Sequence, residues 1–274
     1  MKQPNQKFPL TFFLLVFGLS TPLWILQTII GKSGLPLDIP ITDIVAAFMP
    51  LGVAYGLIYR KQGRQAANTL LRRIFDFQRV TKKRWYLAIC LLPLFIFACI
   101  YLVLAAMGSP LPATWQIAYI ATPFLFVFFF FGALGEEVGY MGYAFEPLEH
   151  KWGALAAALF IGLPWAVWHF PSMLAQGRSF SWILWGTLGT VAIRVMIVWL
   201  YQNTSASLFA CILFHSLYNL GRVIFPHNTT LNPLVDVPAV HYGVIALITI
   251  MIVLLSGPTL SRSGTTAKGT SLAR

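Results

Sequence analysis

The sequence predicts an all-α, polytopic membrane protein with about eight transmembrane helices in one bundle. Three observations predict it. Of 274 residues, 58% are hydrophobic and only 10% are charged, with a mean hydropathy of +0.73; an ordinary soluble domain carries about 25% charged residues. Windows 8–31, 85–135, 152–177, 195–221 and 237–261 contain no Asp, Glu, Lys or Arg, and roughly 18 consecutive apolar residues suffice for a span. The net charge of +11 is also uneven, because residues 60–84 hold nine of the nineteen basic residues. Membrane proteins concentrate Lys and Arg in their cytoplasmic loops.

The predicted spans are 9–30, 39–59, 85–107, 117–146, 152–170, 181–201, 205–225 and 241–257. Lys2 and Lys7 precede the first apolar run as they would in a signal peptide. No small-residue cleavage site follows, and the run is long enough to cross a bilayer, so the expectation is an uncleaved first helix. The window 85–135 accommodates two spans, divided by the turn-rich GSPLPATW at 108–115. Between the second and third spans, RKQGRQAANTLLRRIFDFQRVTKKR reads as a cytoplasmic loop. Ala67, Leu70, Leu71, Ile74 and Phe77 recur in it at helical spacing, which predicts a segment lying on the membrane surface. Membrane spans on both flanks make a nucleic-acid partner a poor reading of this basic run.

With that loop inside, both termini fall in the cytoplasm of a multi-pass cell-membrane protein, in keeping with Lys2, Lys7, Arg262, Lys268 and Arg274. The expected outer loops carry only Lys32 and Arg178 among basic residues. The expected organisation is residues 1–114 as N-terminal helices with the basic loop, 115–225 as a core, and 226–274 as the last helix and tail. Cys90, Cys99 and Cys211 all fall in spans, and their spacing suggests neither a disulfide framework nor a zinc finger.

Polar residues at membrane depth are expensive, so each is a functional candidate. Here they are Asp43, Glu136, Glu137, His169, Arg194, His215, Asn219 and Arg222. Asp43 lies near the start of its span, where a charge reaches the interface. In GEEVGYMGY, Glu136, Tyr140 and Tyr143 share one helix face, and Glu137 points toward the stripe of Met141. Glycines 132, 135, 139 and 142 permit close approach of a neighbouring helix. In PWAVWHFP, Trp165 and His169 lie one turn apart between Pro164 and Pro171. A proline there kinks the helix and frees backbone carbonyls. In FHSLYNLGR, His215, Asn219 and Arg222 occupy one face at i, i+4 and i+7. Singly, each has an ordinary structural explanation. Together, two carboxylates, two histidines and an amide on three helices supply the parts for activating water.

These three segments resemble the CPBP family of intramembrane proteases, named for CAAX prenyl proteases and bacteriocin-processing proteins. Glu136-Glu137, Trp165…His169 and His215…Asn219 match the family's motifs in order and on the expected helices, and the resemblance covers residues 115–225. It implies an eight-helix endopeptidase acting within the bilayer on a prenylated CAAX protein or another membrane-associated peptide. Carried over by position, Glu136 is the general base, with Glu137 as a supporting carboxylate. His169 and His215 orient the water or shuttle charge, and Asn219 donates to the oxyanion; Trp165 and Tyr140 support them. Two His and a Glu are also a possible zinc set, although the chain has no HExxH helix, and a metal-free site fits the same residues.

One position departs from the family's pattern. Where the family carries an Arg beside the second glutamate, this chain has Met141. Glu137 therefore needs another cation, and Arg222 and Arg194 are the candidates. Two further functional classes stay open in the sequence: a non-catalytic immunity or peptide-binding protein, and a proton-coupled transporter, for which no inverted repeat is found.

Overall fold

The computed structural model describes residues 9–31, 39–113, 120–228 and 230–261, and every regular element among them is helical. In chain order these are α1 (Leu10–Ile30), α2 (Ile41–Ala46), α3 (Met49–Arg72), α4 (Arg84–Ala106), α5 (Thr122–Gly139), α6 (Phe145–Trp152), α7 (Ala154–Trp168), α8 (Phe170–Ala175), α9 (Phe180–Asn203), α10 (Leu208–Ile224), α11 (Pro233–Asp236) and α12 (Pro238–Ser256). A single π-helical turn, Tyr140–Ala144, joins α5 to α6. Seven of these stretches are long and apolar enough to cross a membrane, and α10, at 17 residues, is a shorter eighth. The polytopic all-α bundle is therefore as expected.

The helices α5, α7, α9 and α10 form the centre. The α9 helix is the most enclosed, with every residue from Ala192 to Tyr201 buried. It packs between α7 and α12, while α10 packs along α5. The second expected span is broken rather than continuous, ending as α2 and restarting as α3. Pro50 sits in the first turn of α3, where its missing N–H costs no hydrogen bond. The break opens a backbone surface that α5 fills. A methyl group at Gly135 would lie 2.4 Å from the Ala47 carbonyl oxygen, and one at Gly139 would lie 2.5 Å from Pro50. Gly142 approaches Leu70 in the same way, whereas Gly132 faces open space.

The basic segment is largely helical, with most of its basic side chains exposed. Helix α3 continues past residue 59 to Arg72, bending at Gly63, whose φ of +83° is the left-handed conformation that glycine tolerates. Two 3₁₀ turns follow, Arg73–Phe75 and Phe77–Arg79. Of the apolar stripe expected on the membrane surface, Ala67, Leu70 and Ile74 are buried against the bundle, while Phe77 is exposed. Polar contacts fix this end. Arg73 donates to the Tyr201 hydroxyl at 2.6 Å and to the Ala206 carbonyl at 3.1 Å. Asp76, the one acid in the basic run, accepts from the Ser207 hydroxyl and from the backbone N–H groups of Leu208 and Phe209, at 2.8, 3.1 and 3.0 Å. It thereby satisfies the unpaired amides at the N-terminus of α10 and places a negative charge at the positive end of its dipole. The terminal residues Lys2, Lys7, Arg262, Lys268 and Arg274, together with Lys32 and residues 114–119 around the expected start of the fourth span, lie outside the described residues.

Candidate active site

The two adjacent glutamates sit at the last full turn of α5 and take different partners. Glu137 is fully buried and lies between two cationic or polar groups. Its Oε2 accepts from Arg194 Nη1 at 2.5 Å, and its Oε1 meets His215 Nδ1 at 2.9 Å. Arg194, on α9, is itself 0% exposed. Its guanidinium lies 4.0 Å from the centre of the Trp165 ring and 5.2 Å from that of Tyr140. Arg194 Nε and Nη2 have no hydrogen-bond partner among the described residues; the π faces of the two rings offset part of that loss. Arg194 is thus the cation that Met141 does not supply. Met141 is buried in the apolar core. Arg222, the other candidate, makes no ion pair with either glutamate among the described residues and is exposed.

Glu136 points the other way. It is 8% exposed, and its Oε2 accepts from Trp165 Nε1 at 2.5 Å. That leaves Oε1 for another donor. The Trp165 ring stands edge-on to both histidines, with centroids 5.4 Å from His169 and 5.4 Å from His215. One indole therefore touches the base candidate, both histidines and the buried arginine.

The end of α7 explains how His169 is aimed. Pro171 has no N–H to give the Val167 carbonyl, so the α-helical ladder cannot run through it. The backbone N–H of His169 shifts to the Ala166 carbonyl at 3.1 Å. The Trp165 carbonyl, released from the ladder, accepts instead from His169 Nδ1 at 2.7 Å. This fixes the tautomer and leaves Nε2 as a free acceptor. His215 is anchored in the same sense, through Nδ1 to Glu137. Both rings thus keep Nε2 for chemistry.

Glu136, Trp165, His169, His215 and Asn219 all line one cavity of about 830 Å³. The site residues found in the sequence are therefore brought together, with Glu137, Arg194 and Tyr140 packed behind them. Arg222 lines the same cavity, farther along α10. One candidate was set aside and one residue was missed. Asp43 does not simply reach the interface: it lines the cavity and accepts from the Ser172 hydroxyl at 2.5 Å, tying α2 to α8. Its acidity at membrane depth was the available signal, and its place near a helix start hid it. His241 at the start of α12 also lines the cavity, buried against Tyr218 and Tyr242; nothing in its spacing marked it.

A resident zinc ion needs three converging protein ligands with a fourth position open. Among the described residues no three His, Cys, Asp or Glu side chains converge in that way. Glu137 is committed to Arg194 through Oε2 and to His215 Nδ1 through Oε1.

Residues 118–221 match the family model described as type II CAAX prenyl endopeptidase Rce1-like. The chain is also similar to CAAX prenyl protease 2 of Methanococcus maripaludis, 24% identical over 261 residues, covering 90% of this chain and 93% of that protein. The matched span contains all three motif segments and Arg194, so the chain is similar to the type II CAAX prenyl endopeptidases across its central helices.

Proposed function

We propose that the protein hydrolyses a peptide bond of a membrane-associated substrate, of the prenylated CAAX or bacteriocin-like type, by activating water with Glu136 and the two histidines and without a metal. The observation that carries this reading is the convergence of Glu136, His169, His215 and Asn219 on one cavity, where Glu136 Oε1 and the Nε2 atoms of both rings have no hydrogen-bond partner among the described residues.

In this mechanism Glu136 Oε1 takes a proton from water as the oxygen attacks the scissile carbonyl. Proton transfer by a positioned side chain contributes about 10²–10⁴-fold. His169 and His215 hold the water and the developing charge through Nε2. The Asn219 amide donates to the oxyanion, an interaction worth roughly 3 kcal/mol where bulk water is excluded. The C–N bond then breaks, and the proton held by Glu136 passes to the leaving amine. Glu137 does not react. Its bonds to Arg194 and His215 fix the position of the His215 ring.

The test uses purified protein in lipid nanodiscs and an S-farnesyl-cysteine peptide that extends three apolar residues beyond the cysteine. Wild type is expected to cleave it, with and without a chelator. Glu136→Gln and His215→Ala should lower turnover by about 10²-fold or more while the protein still accumulates in the membrane. Unchanged turnover in Glu136→Gln would remove the proposed base, and loss of activity on chelation would remove the metal-free mechanism.

A further inference from the structure

The basic segment between α3 and α4 carries charge that the fold does not use. Arg72, Lys82, Lys83 and Arg84 are exposed, and none of them forms an ion pair among the described residues. Asp76 is the one acid of the run, and it is turned inward onto Arg73, Arg79 and the first amides of α10. The outward face of the segment therefore carries positive charge alone. Two aromatic side chains stand among these cations, Phe75 at 62% and Phe77 at 47% exposure.

The contacts of Phe77 say which medium that face meets. Its ring lies 6.1 Å from that of Phe209, and Phe209 lies 6.4 Å from Phe130 on α5, a helix of membrane-spanning length. An aromatic stripe thus runs from the 3₁₀ turns onto the flank of a span. The Phe77 carbonyl accepts from the Tyr86 hydroxyl at 2.9 Å, which holds the head of α4, with Lys82, Lys83 and Arg84, next to the same turns. Arg60, Lys61 and Arg64 are also exposed but stand apart. The Tyr55 hydroxyl donates to Asn68 Oδ1 at 3.1 Å, so α3 folds back on itself at Gly63 and these three occupy the tip of the bend. Aromatic rings that reach the acyl boundary beside cations at headgroup level make a surface for anionic lipid.

We propose that Phe75, Phe77, Arg72, Lys82, Lys83 and Arg84 form a binding site for anionic phospholipid, with the two rings at the acyl boundary and the cations on the headgroup phosphates. The site is independent of the hydrolytic reading, yet it reaches the helix that carries His215 and Asn219. Arg73 and Asp76, from the same turns, hold Tyr201, the Ala206 carbonyl and the N-terminus of α10. Lipid bound here braces that end of the bundle.

The experiment places the full-length protein in nanodiscs of equal parts phosphatidylcholine and phosphatidylglycerol, releases it gently and counts the retained lipids by native mass spectrometry. Wild type should retain phosphatidylglycerol over phosphatidylcholine by about 10-fold, and the preference should fall as salt rises. Replacing Lys82, Lys83 and Arg84 together by Gln should bring the ratio near one. Replacing Arg60, Lys61 and Arg64 by Gln removes the same charge at the bend and should leave most of the preference. Phe75→Ser with Phe77→Ser should lower the number of lipids retained. Wild type should also melt at a higher temperature in discs containing phosphatidylglycerol than in phosphatidylcholine alone, a difference the Lys82, Lys83 and Arg84 variant loses. A wild-type ratio near one would overturn the proposal and leave these cations to membrane orientation only; that measurement needs no variant to fold. Equal losses in the two charge variants would also overturn it, because attraction would then follow net charge rather than a site.

Discussion

Arg194 and Glu137 are both fully removed from solvent, and each is tolerable only because of the other. Taking either charge out of water costs several kcal/mol, which their contact and the His215 bond offset. Removing one partner strands the other. Arg194→Met is therefore expected to lose about 3–5 kcal/mol, seen as a large drop in melting temperature and in the amount of protein in the membrane. Adding Glu137→Gln to that variant should restore much of the stability but not the activity, because His215 would lose its anchor. Equal melting temperatures for wild type and Arg194→Met would contradict this account. The need for such a cation was legible in the sequence, since Met141 stands where a positive charge is expected. Its identity was not. Arg194 and Arg222 are both at membrane depth, and the choice between them depends on which faces of α9 and α10 turn toward α5, a matter of packing rather than spacing.

Among the elements, α5 carries the most information per residue. Its glycines allow backbone-to-backbone approach at the break between α2 and α3, and that approach places the glutamates opposite α9 and α10. Gly139→Ala should therefore push α5 from Pro50, since the added methyl would meet its backbone at 2.6 Å. The expected loss is about 1–3 kcal/mol, with reduced activity in whatever folds. Gly132→Ala, which meets nothing within 4 Å, should melt as wild type does, and a matching loss in both variants would contradict the packing argument. The spans themselves were readable from their charge-free windows. The π-turn at Tyr140–Ala144 was not, because an extra residue in a helix leaves no mark on hydrophobic spacing. The extension of α3 was missed for another reason: nine basic residues suggested a loop, yet the stripe through Ala67, Leu70 and Ile74 found an apolar partner at the end of the bundle. The Trp165–His169 pair was legible as a motif, and Pro171 explains why the ring nitrogen finds a released carbonyl.

At the scale of the whole molecule, the cavity and the basic segment occupy opposite ends. The rim includes Gln176 and Arg178 after α8, and His227, Asn228 and Asn232 after α10. The basic segment instead caps the N-terminus of α10 through Asp76. If the basic end is cytoplasmic, as charge asymmetry predicts, the cavity opens toward the other face of the membrane. With Cys90, Cys99 and Cys211 replaced by Ala, a membrane-impermeant maleimide should label Thr230→Cys in intact bacterial cells and Lys83→Cys only after permeabilisation. The reverse pattern would invert the orientation. The substrate reading depends on the central claim, that Glu136 activates water to hydrolyse peptide bonds. The most direct measurement compares the membrane peptidome of cells carrying wild type with that of cells carrying Glu136→Gln at equal protein levels. The account predicts new peptide termini that appear only with wild type. A peptidome in which no terminus depends on Glu136 would contradict it.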